Sequence, residues 1–288
     1  MADNTNPLVG HFRSPKLYAN IPSEGKFYSS DVIDMPENLE LAIFPMTAKD
    51  EIMMKNPDAL LNGEAVATVI SSCVPAIKQP RALVSNDVDT LLIAIQGATY
   101  GDDIEINTTC NKCQETVSGT VSVETMLSTM SILENTYSFT TSSGLLIECK
   151  PYSYETSVKA GLANFRTERS LQSIASIEDE VERLSAFTNN FMELANLNFE
   201  ILVDTVSRVT LKQGEETVVV EDRAQIREFL ENCESAVGKQ IEKFVAQMAN
   251  IGINKNMLMT CETCSTEEKP YEFESMVNFN PVNFFTAS

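Results

Sequence analysis

Two CxxC motifs lie far apart in this chain, and they restrict its fold more than any other feature. The first is Cys110-Asn-Lys-Cys113 and the second is Cys261-Glu-Thr-Cys264, and the 147 residues from 114 to 260 separate them. Strand-like runs flank both motifs, at residues 103–107, 116–123, 256–259 and 271–279. Two β-hairpins that each present two thiolates form a structural Zn²⁺ site of the zinc-ribbon type. The sequence therefore predicts one Zn²⁺ site that joins two distant parts of the chain.

Two alternatives to zinc stay open at this point. The motifs can be two unrelated, exposed hairpins without a metal, or one of them can be a redox dithiol. A redox CxxC normally opens a helix, where the helix dipole lowers the thiol pKa, whereas strands flank these motifs. Four thiolates leave no open coordination position, so we expect the zinc to be structural. Many zinc knuckles carry Gly after the second Cys, and Gln114 and Ser265 hold those places here, which leaves the turn geometry open.

The net charge argues against nucleic acid as a partner. The chain has 288 residues, of which 43% are hydrophobic, and its formal net charge is −20. Nucleic-acid binding depends largely on Lys and Arg that neutralise phosphates. Lys112 is the one basic residue of the first motif, and the next basic residue after the second motif is Lys269. A zinc-ribbon nucleic-acid binder is therefore the remote alternative, and the acidic surface serves solubility or a basic partner.

The sequence carries no signal for a membrane, for secretion or for catalysis. No apolar run approaches the roughly 20 residues that span a bilayer, and the first residues lack a basic and an apolar region. An odd count of seven cysteines indicates a reducing compartment, and Cys73, Cys149 and Cys233 are expected to be small buried side chains. His11 is the single histidine, and there is no triad or phosphate-binding loop. We therefore expect a protein that is not an enzyme.

The periodicity of apolar residues predicts an α+β chain. We expect zinc-ribbon-like β knuckles from the two distant CxxC pairs, a mostly helical insertion and an N-terminal helical unit. The expected units are an arm at 1–20, a discontinuous unit at 21–125 and 250–288, and an inserted domain at 126–249. The predicted strands are 39–44, 137–140, 145–149, 209–211 and 217–220, and the predicted helices are 51–55, 56–74, 86–101, 155–175, 181–201 and 226–248.

Three details of these helices can be tested directly. Asn86 and Asp87 are interpreted as caps at the start of their helix. The helix from Val181 to Ile201 is the clearest in the sequence, because its apolar residues follow one another at spacings of three and four. Gly238 marks a kink or a break in the last helical stretch.

The end of the chain is apolar and aromatic. Phe279, Phe284 and Phe285 are interspersed with asparagines. Such a segment either packs on its own domain or forms an exposed docking peptide for a partner, because aromatic side chains seldom stay in water.

Several segments together resemble the baseplate hub and hub-assembly proteins of T4-type bacteriophages, which are myoviruses with contractile tails. The similarity covers residues 21–113 and about 250–288 well and the helical insertion loosely. The segments are Ile21-Pro-Ser-Glu-Gly-Lys-Phe-Tyr28, 46–63, Ser72-Cys-Val-Pro-Ala-Ile-Lys78, 87–95, Ala98-Thr-Tyr-Gly101, the second CxxC motif and Pro281-Val-Asn-Phe-Phe285.

The resemblance implies a structural or assembly protein of the baseplate hub, without enzymatic activity. Its partners would be other tail and baseplate proteins, such as the hub or the tape measure, and a homo-oligomer is compatible with this role. Docking would use Phe27 and Tyr28 with the terminal aromatic residues. The expected location is the virion tail baseplate after assembly in the host cytoplasm. The alternative is a tail-assembly chaperone for the tape measure, which stays in the cytoplasm and is absent from the mature virion.

Overall fold

The computed structural model describes residues 8–174, 179–213, 216–266 and 269–276. Helices and strands are mixed along the chain, as the sequence predicts. The first part contains the strands β1 (Leu17–Ala19) and β2 (Leu41–Ile43), and the helices α1 (Ala48–Met54), α2 (Pro57–Leu61), α3 (Glu64–Cys73) and α4 (Ser85–Tyr100). The strands β1 and β2 pair antiparallel, and the helices pack with them around the largest core of the molecule.

The helix predicted for residues 56–74 is divided into α2 and α3. Asn56 caps α2 by accepting hydrogen bonds from the backbone N–H groups of Asp58 and Ala59. Gly63 lies between the two helices in the left-handed conformation, with φ +74°. Residues that carry a Cβ atom rarely adopt this conformation. A Cβ atom at Gly63 would lie 2.5 Å from Cγ2 of Val158. Close packing against a distant helix therefore fixes this break.

The predicted capping role of Asn86 and Asp87 is wrong. The residue before α4 is Val84, and both polar residues lie inside the first turn of the helix, where they are buried. The side chain of Asn86 donates to the carbonyl oxygens of Met248 and Ile251, each at 2.8 Å. The side chain of Asn86 thus makes tertiary hydrogen bonds, although the local sequence pattern predicts that it caps the helix.

The remaining elements of the described residues begin and end with a β-hairpin. The elements are β3 (Asp103–Thr109), β4 (Thr116–Ser122), α5 (Val123–Ser128), β5 (Tyr137–Thr140), β6 (Leu146–Cys149), α6 (Tyr154–Ile174), α7 (Glu180–Thr205), β7 (Val206–Gln213), β8 (Glu216–Val220), α8 (Arg223–Asn232), α9 (Ser235–Ala249), β9 (Asn256–Thr266) and β10 (Lys269–Met276). The strands β5, β6, β7 and β8 form one antiparallel sheet in this order. The two predicted hairpins of this region are thereby confirmed.

The last helical stretch breaks at a different place from the one predicted. Cys233 and Glu234 adopt extended conformations between α8 and α9, while Gly238 lies inside α9. No neighbouring atom lies within 4 Å of a Cβ built at Gly238. No steric contact therefore requires the helix to break at this glycine.

Among the described residues, four apolar clusters hold these elements together. The second joins the four-stranded sheet to α8, α9 and the end of α7. The third lies between α4, the β3–β4 hairpin and α5, and Ile253 enters it from the segment before β9. Met257 of β9 packs against this third cluster, which therefore helps to hold the β3–β4 hairpin beside the β9–β10 hairpin.

The helix α7 is present as predicted, but its apolar residues are not all in a core. Its last turn is buried, whereas five apolar residues of its first half are exposed. We call Val181, Leu184, Phe187, Phe191 and Met192 the α7 stripe.

Candidate metal centre

The first CxxC motif forms the turn between β3 and β4. The antiparallel pairing runs to Thr109 and Thr116, and the backbone N–H of Cys110 then donates to the carbonyl of Glu115 at 2.8 Å. Gln114 has φ +62° and donates its N–H to the carbonyl of Cys110 at 3.0 Å. Gln114 thus adopts the left-handed conformation for which Gly is usually chosen.

The second motif lies in an irregular part of the β9–β10 hairpin. Cys261 pairs with Tyr271, and the register shifts between Tyr271 and Lys269. Ser265 stabilises this bulge, since its hydroxyl donates to the carbonyl of Cys261 at 2.6 Å and accepts from the N–H of Tyr271 at 2.9 Å. In the first motif, the left-handed backbone of Gln114 therefore forms the turn after the second cysteine. In the second motif, hydrogen bonds of the Ser265 side chain stabilise the corresponding position.

Polar contacts join the two hairpins directly around the motifs. Tyr271 donates its hydroxyl to Oδ1 of Asn111 at 2.8 Å, and Nζ of Lys112 lies 4.9 Å from the centroid of the Tyr271 ring. Thr263 donates its hydroxyl to the carboxylate of Glu115. These contacts fix the two turns relative to each other without help from the thiols.

A close approach of the strands adds to this contact. Gly119 of β4 lies so close to Met259 of β9 that a Cβ atom there would be 2.7 Å from Cε of the methionine. Met259 and Phe273 are buried in a small apolar cluster with the cysteines. Closely packed apolar side chains therefore support the four cysteines.

The four cysteines come together in one group. Their Sγ atoms all lie within 4.8 Å of one another, with 3.9 Å between Cys110 and Cys264 and 3.6 Å between Cys113 and Cys261. These distances are too long for a disulfide, which needs about 2.05 Å. A tetrahedral Zn²⁺ with bonds of about 2.3 Å places its sulfur ligands roughly 3.8 Å apart. The geometry of the thiols therefore fits a tetrahedral metal ion.

Electrostatics distinguish the four thiols. Burial raises the pKa of Cys110, but hydrogen bonds from the backbone of Cys113 and Lys112 outweigh it and lower this pKa to about 7. Burial, followed by the neighbouring thiols, raises the pKa of Cys264 to about 12. The pKa of Cys261 is raised too, again chiefly by burial. These shifts disfavour four thiolates side by side without a cation, so metal binding would release protons.

The arrangement is closed rather than catalytic. Cys110 and Cys261 are buried, and Cys113 and Cys264 are partly exposed. Four thiolates fill a tetrahedral coordination sphere, so no position is left for a water or a substrate. Among the described residues, this is the group of His, Cys, Asp or Glu side chains placed to hold a metal ion.

The other residues singled out in the sequence lie elsewhere. Phe27 and Tyr28 are partly buried, and the hydroxyl of Tyr28 donates to Asp87 and accepts from the N–H of Val84 at 2.8 Å. Their docking role stays a prediction, and the predicted docking residues Phe279, Phe284 and Phe285 lie outside the described residues.

The three remaining cysteines lie apart from the four-cysteine group. Cys73 and Cys149 are buried as expected, and Cys233 is partly buried.

Comparison with known proteins decides the family. The family model described as T4 bacteriophage base plate protein matches residues 20–279. The chain belongs to this family. No curated protein matches the chain, and no solved structure matches it.

Membership of the T4 baseplate family carries several consequences. It indicates a structural, non-enzymatic protein that interacts with other baseplate proteins in the virion tail. Within the described ranges, no helix is long and apolar enough to cross a membrane. The match extends through both CxxC motifs, so the four-cysteine group lies inside the family region.

The sequence does not reveal how this baseplate protein positions its N-terminal signature. The buried carboxylate of Asp87 accepts hydrogen bonds from the N–H and the hydroxyl of Ser23, at 2.9 and 2.5 Å, and from Tyr28. Ser23 and Tyr28 belong to the segment 21–28 by which the chain resembles the hub proteins. No local spacing links that segment to Asp87, so only the folded chain identifies the partner.

Proposed function

We propose that this chain is a non-enzymatic structural or assembly protein of the baseplate hub, stabilised by a structural Zn²⁺. The family match over residues 20–279 is the observation that carries the baseplate role. The hub is the more specific assignment, and it is supported by the resemblance of the segments at 21–28 and 46–63 to hub and hub-assembly proteins.

The proposed zinc ligands are Cys110, Cys113, Cys261 and Cys264. Their support is the separation of their Sγ atoms, which is within 4.8 Å for every pair, and the fit of the pairs at 3.6 and 3.9 Å to tetrahedral coordination. A single ion would hold the β3–β4 hairpin against the β9–β10 hairpin. Its binding free energy would then contribute to the stability of the folded protein.

The terminal aromatic residues are the proposed docking segment. Phe279, Phe284 and Phe285 lie within the last ten residues of the sequence, with asparagines between them. Their support is chemical, because a short aromatic peptide binds a hydrophobic surface of a partner more readily than it stays in water. Deleting residues 279–288 should then impair tail assembly while zinc binding is retained.

Quantitative mass spectrometry of purified phage particles tests the hub role. A structural hub component is present in a small, fixed copy number that matches the tail symmetry. Absence from particles, together with abundance in infected cells, would instead support the chaperone role. A copy number that varies between preparations would contradict both the structural role and a defined place in the hub.

A further inference from the structure

The strand β8 forms an open edge of the four-stranded sheet. The sheet has the order β5-β6-β7-β8, so β8 lies at its margin. Its five residues pair regularly with β7, from Glu216 opposite Gln213 to Val220 opposite Val209. Among the described residues, no strand other than β7 pairs with β8. Because the residues of a strand direct their N–H and C=O groups alternately to its two sides, part of the β8 backbone has no strand partner.

The side chains of β8 are uncovered as well. Thr217, Val218 and Val219 are exposed, and the exposed fractions are 37% for Val218 and 49% for Val219. Val220 packs against the second apolar cluster. Because side chains alternate along a strand, Val218 lies on the same face of the sheet as Val220, and Val219 lies on the other face. Apolar side chains are therefore open to solvent on both faces at this edge.

The opposite edge strand, β5, has a different pattern. Tyr137 is buried and Phe139 is partly buried, whereas Ser138 and Thr140 are exposed. The ring centroid of Phe244 lies 6.1 Å from that of Tyr137 and 5.9 Å from that of Phe139. Native edge strands often carry Lys, Pro or a bulge that discourages further pairing, and β8 contains none of these. Of the two edges, β8 is the one suited to accept another strand.

Acidic residues lie at both ends of β8. Glu216 begins the strand and Glu221 follows it, and both are exposed. The neighbouring bases Arg208 and Lys212 lie one strand further in, on β7, and Arg208 forms an ion pair with Glu148 of β6. The charges nearest to the open edge are therefore negative, and an added strand would meet a carboxylate at each of its ends.

These charges disfavour a second copy of the chain as the added strand. An antiparallel pair of β8 strands centred on Val218 would place Glu216 of each copy opposite Val220 and beside Glu221 of the other copy. Like charges at such positions destabilise strand pairing, and each copy also has a net charge of −20. The charge that complements both ends of β8 is positive.

We propose that β8 binds an extended segment of another protein, which joins the sheet as a fifth strand and carries Lys or Arg at both of its ends. The backbone of the segment pairs with the open edge of β8, and its basic ends approach Glu216 and Glu221. Its side chains cover Val218 on one face and Val219 on the other. Between its basic ends the segment is rich in β-branched residues and lacks proline.

Fluorescence anisotropy with a labelled peptide and the full-length protein tests the proposal. The probe is Lys-Thr-Val-Thr-Val-Thr-Lys. The control peptide, Lys-Thr-Val-Pro-Val-Thr-Lys, has the same charge, but its proline removes a backbone donor and disfavours a regular strand. We expect saturable binding of the probe, at least ~10-fold tighter than that of the control. Hydrogen exchange should show that the probe protects β8 and leaves β5 unchanged.

Two variants of the protein separate the β8 edge from the overall charge. Val219→Lys places a base beside the basic segment and should weaken binding of the probe at least ~10-fold. Thr140→Lys is the matched control, because it adds one positive charge at an exposed position of the opposite edge strand, and it should leave binding unchanged. Both residues are exposed, so both variants should keep the wild-type melting temperature.

Four results would overturn the proposal. Equal binding of the two peptides would indicate attraction by charge alone, and equal weakening by the two variants would place the binding outside β8. The third is a probe that shows no saturable binding to wild type. The fourth is a wild-type dimer in which β8 is protected from exchange, because a second copy then fills the edge. These measurements use the purified protein, so their outcome is separate from the presence of the chain in phage particles.

Discussion

The Sγ atom of Cys113 lies 3.6 Å from the Sγ atom of Cys261, although the two residues are 148 positions apart. Hydrogen bonds and apolar packing hold the two hairpins together around this pair. A metal ion at this place would close a very long loop, and such closures restrict the unfolded chain most. The folded hairpins thus arrange a site whose ligand would in turn stabilise the fold.

Replacing one proposed ligand should remove the metal and destabilise the protein. We expect Cys261→Ser to lose bound zinc and to lower the free energy of unfolding by more than about 4 kcal/mol, because metal binding is coupled to folding. Cys233→Ser is the matched control, since Cys233 lies outside the four-cysteine group. Urea unfolding with metal analysis of both variants checks this, and equal zinc content in the two would refute the ligand assignment.

The buried carboxyl group of Asp87 should make stability depend on pH. Burial raises its pKa to about 6, although hydrogen bonds from Ser23 and Tyr28 oppose this rise. In the unfolded chain, the pKa of an aspartate carboxyl group is about 3.9. The folded state therefore favours the protonated form, and this stabilisation is complete below about pH 4 and is lost as the pH rises through about 6.

Asp87→Asn isolates this effect, because an amide does not titrate. Between pH 4 and pH 7, the free energy of unfolding of wild type should fall by about 2 kcal/mol relative to that of the variant. The proposed zinc site is common to both proteins, so its own pH dependence cancels. Glu37→Gln, at an exposed position, is the control. If the free energies of unfolding of wild type and Asp87→Asn differ by a constant amount over this pH range, the buried Asp87 does not cause the pH dependence.

Two glycines in helical surroundings should respond in opposite ways to alanine. Gly63→Ala places a methyl group 2.5 Å from Val158 at φ +74°, and we expect a loss of about 1–3 kcal/mol. Gly238→Ala meets nothing within 4 Å inside α9 and should gain about 0.5–1 kcal/mol from its better helix propensity. Thermal unfolding of both variants checks the signs, and a stabilising Gly63→Ala would show that the contact with α6 is unimportant.

The same pair shows where sequence reasoning reaches its limit. Both glycines interrupt an apolar helical pattern, yet only Gly63 lies at a break between two helices. The difference comes from Val158 of α6, which lies 95 positions further along the chain and packs against Gly63. Local propensity cannot contain this contact, so the predicted break at Gly238 is wrong and the real one at Gly63 was not predicted.

The sequence was sufficient to predict the cysteine cluster, but it was not sufficient to predict the surroundings of α7. The spacing within each CxxC motif and the strands around it predicted which thiols come together, because a four-thiolate site constrains spacing strongly. The periodicity of α7 predicted a helix correctly. It could not tell what covers the apolar face, and the α7 stripe is exposed, since amphipathic spacing is the same for a core and for an interface.

Native mass spectrometry of the purified full-length protein, before and after treatment with a chelator, shows directly whether the four cysteines hold a metal ion. We expect one Zn²⁺ per chain, four cysteines that resist alkylation until the chelator is added, and a lower melting temperature afterwards. A chain that carries no metal, with Cys110, Cys113, Cys261 and Cys264 all reactive and a melting temperature unchanged by the chelator, would contradict this expectation.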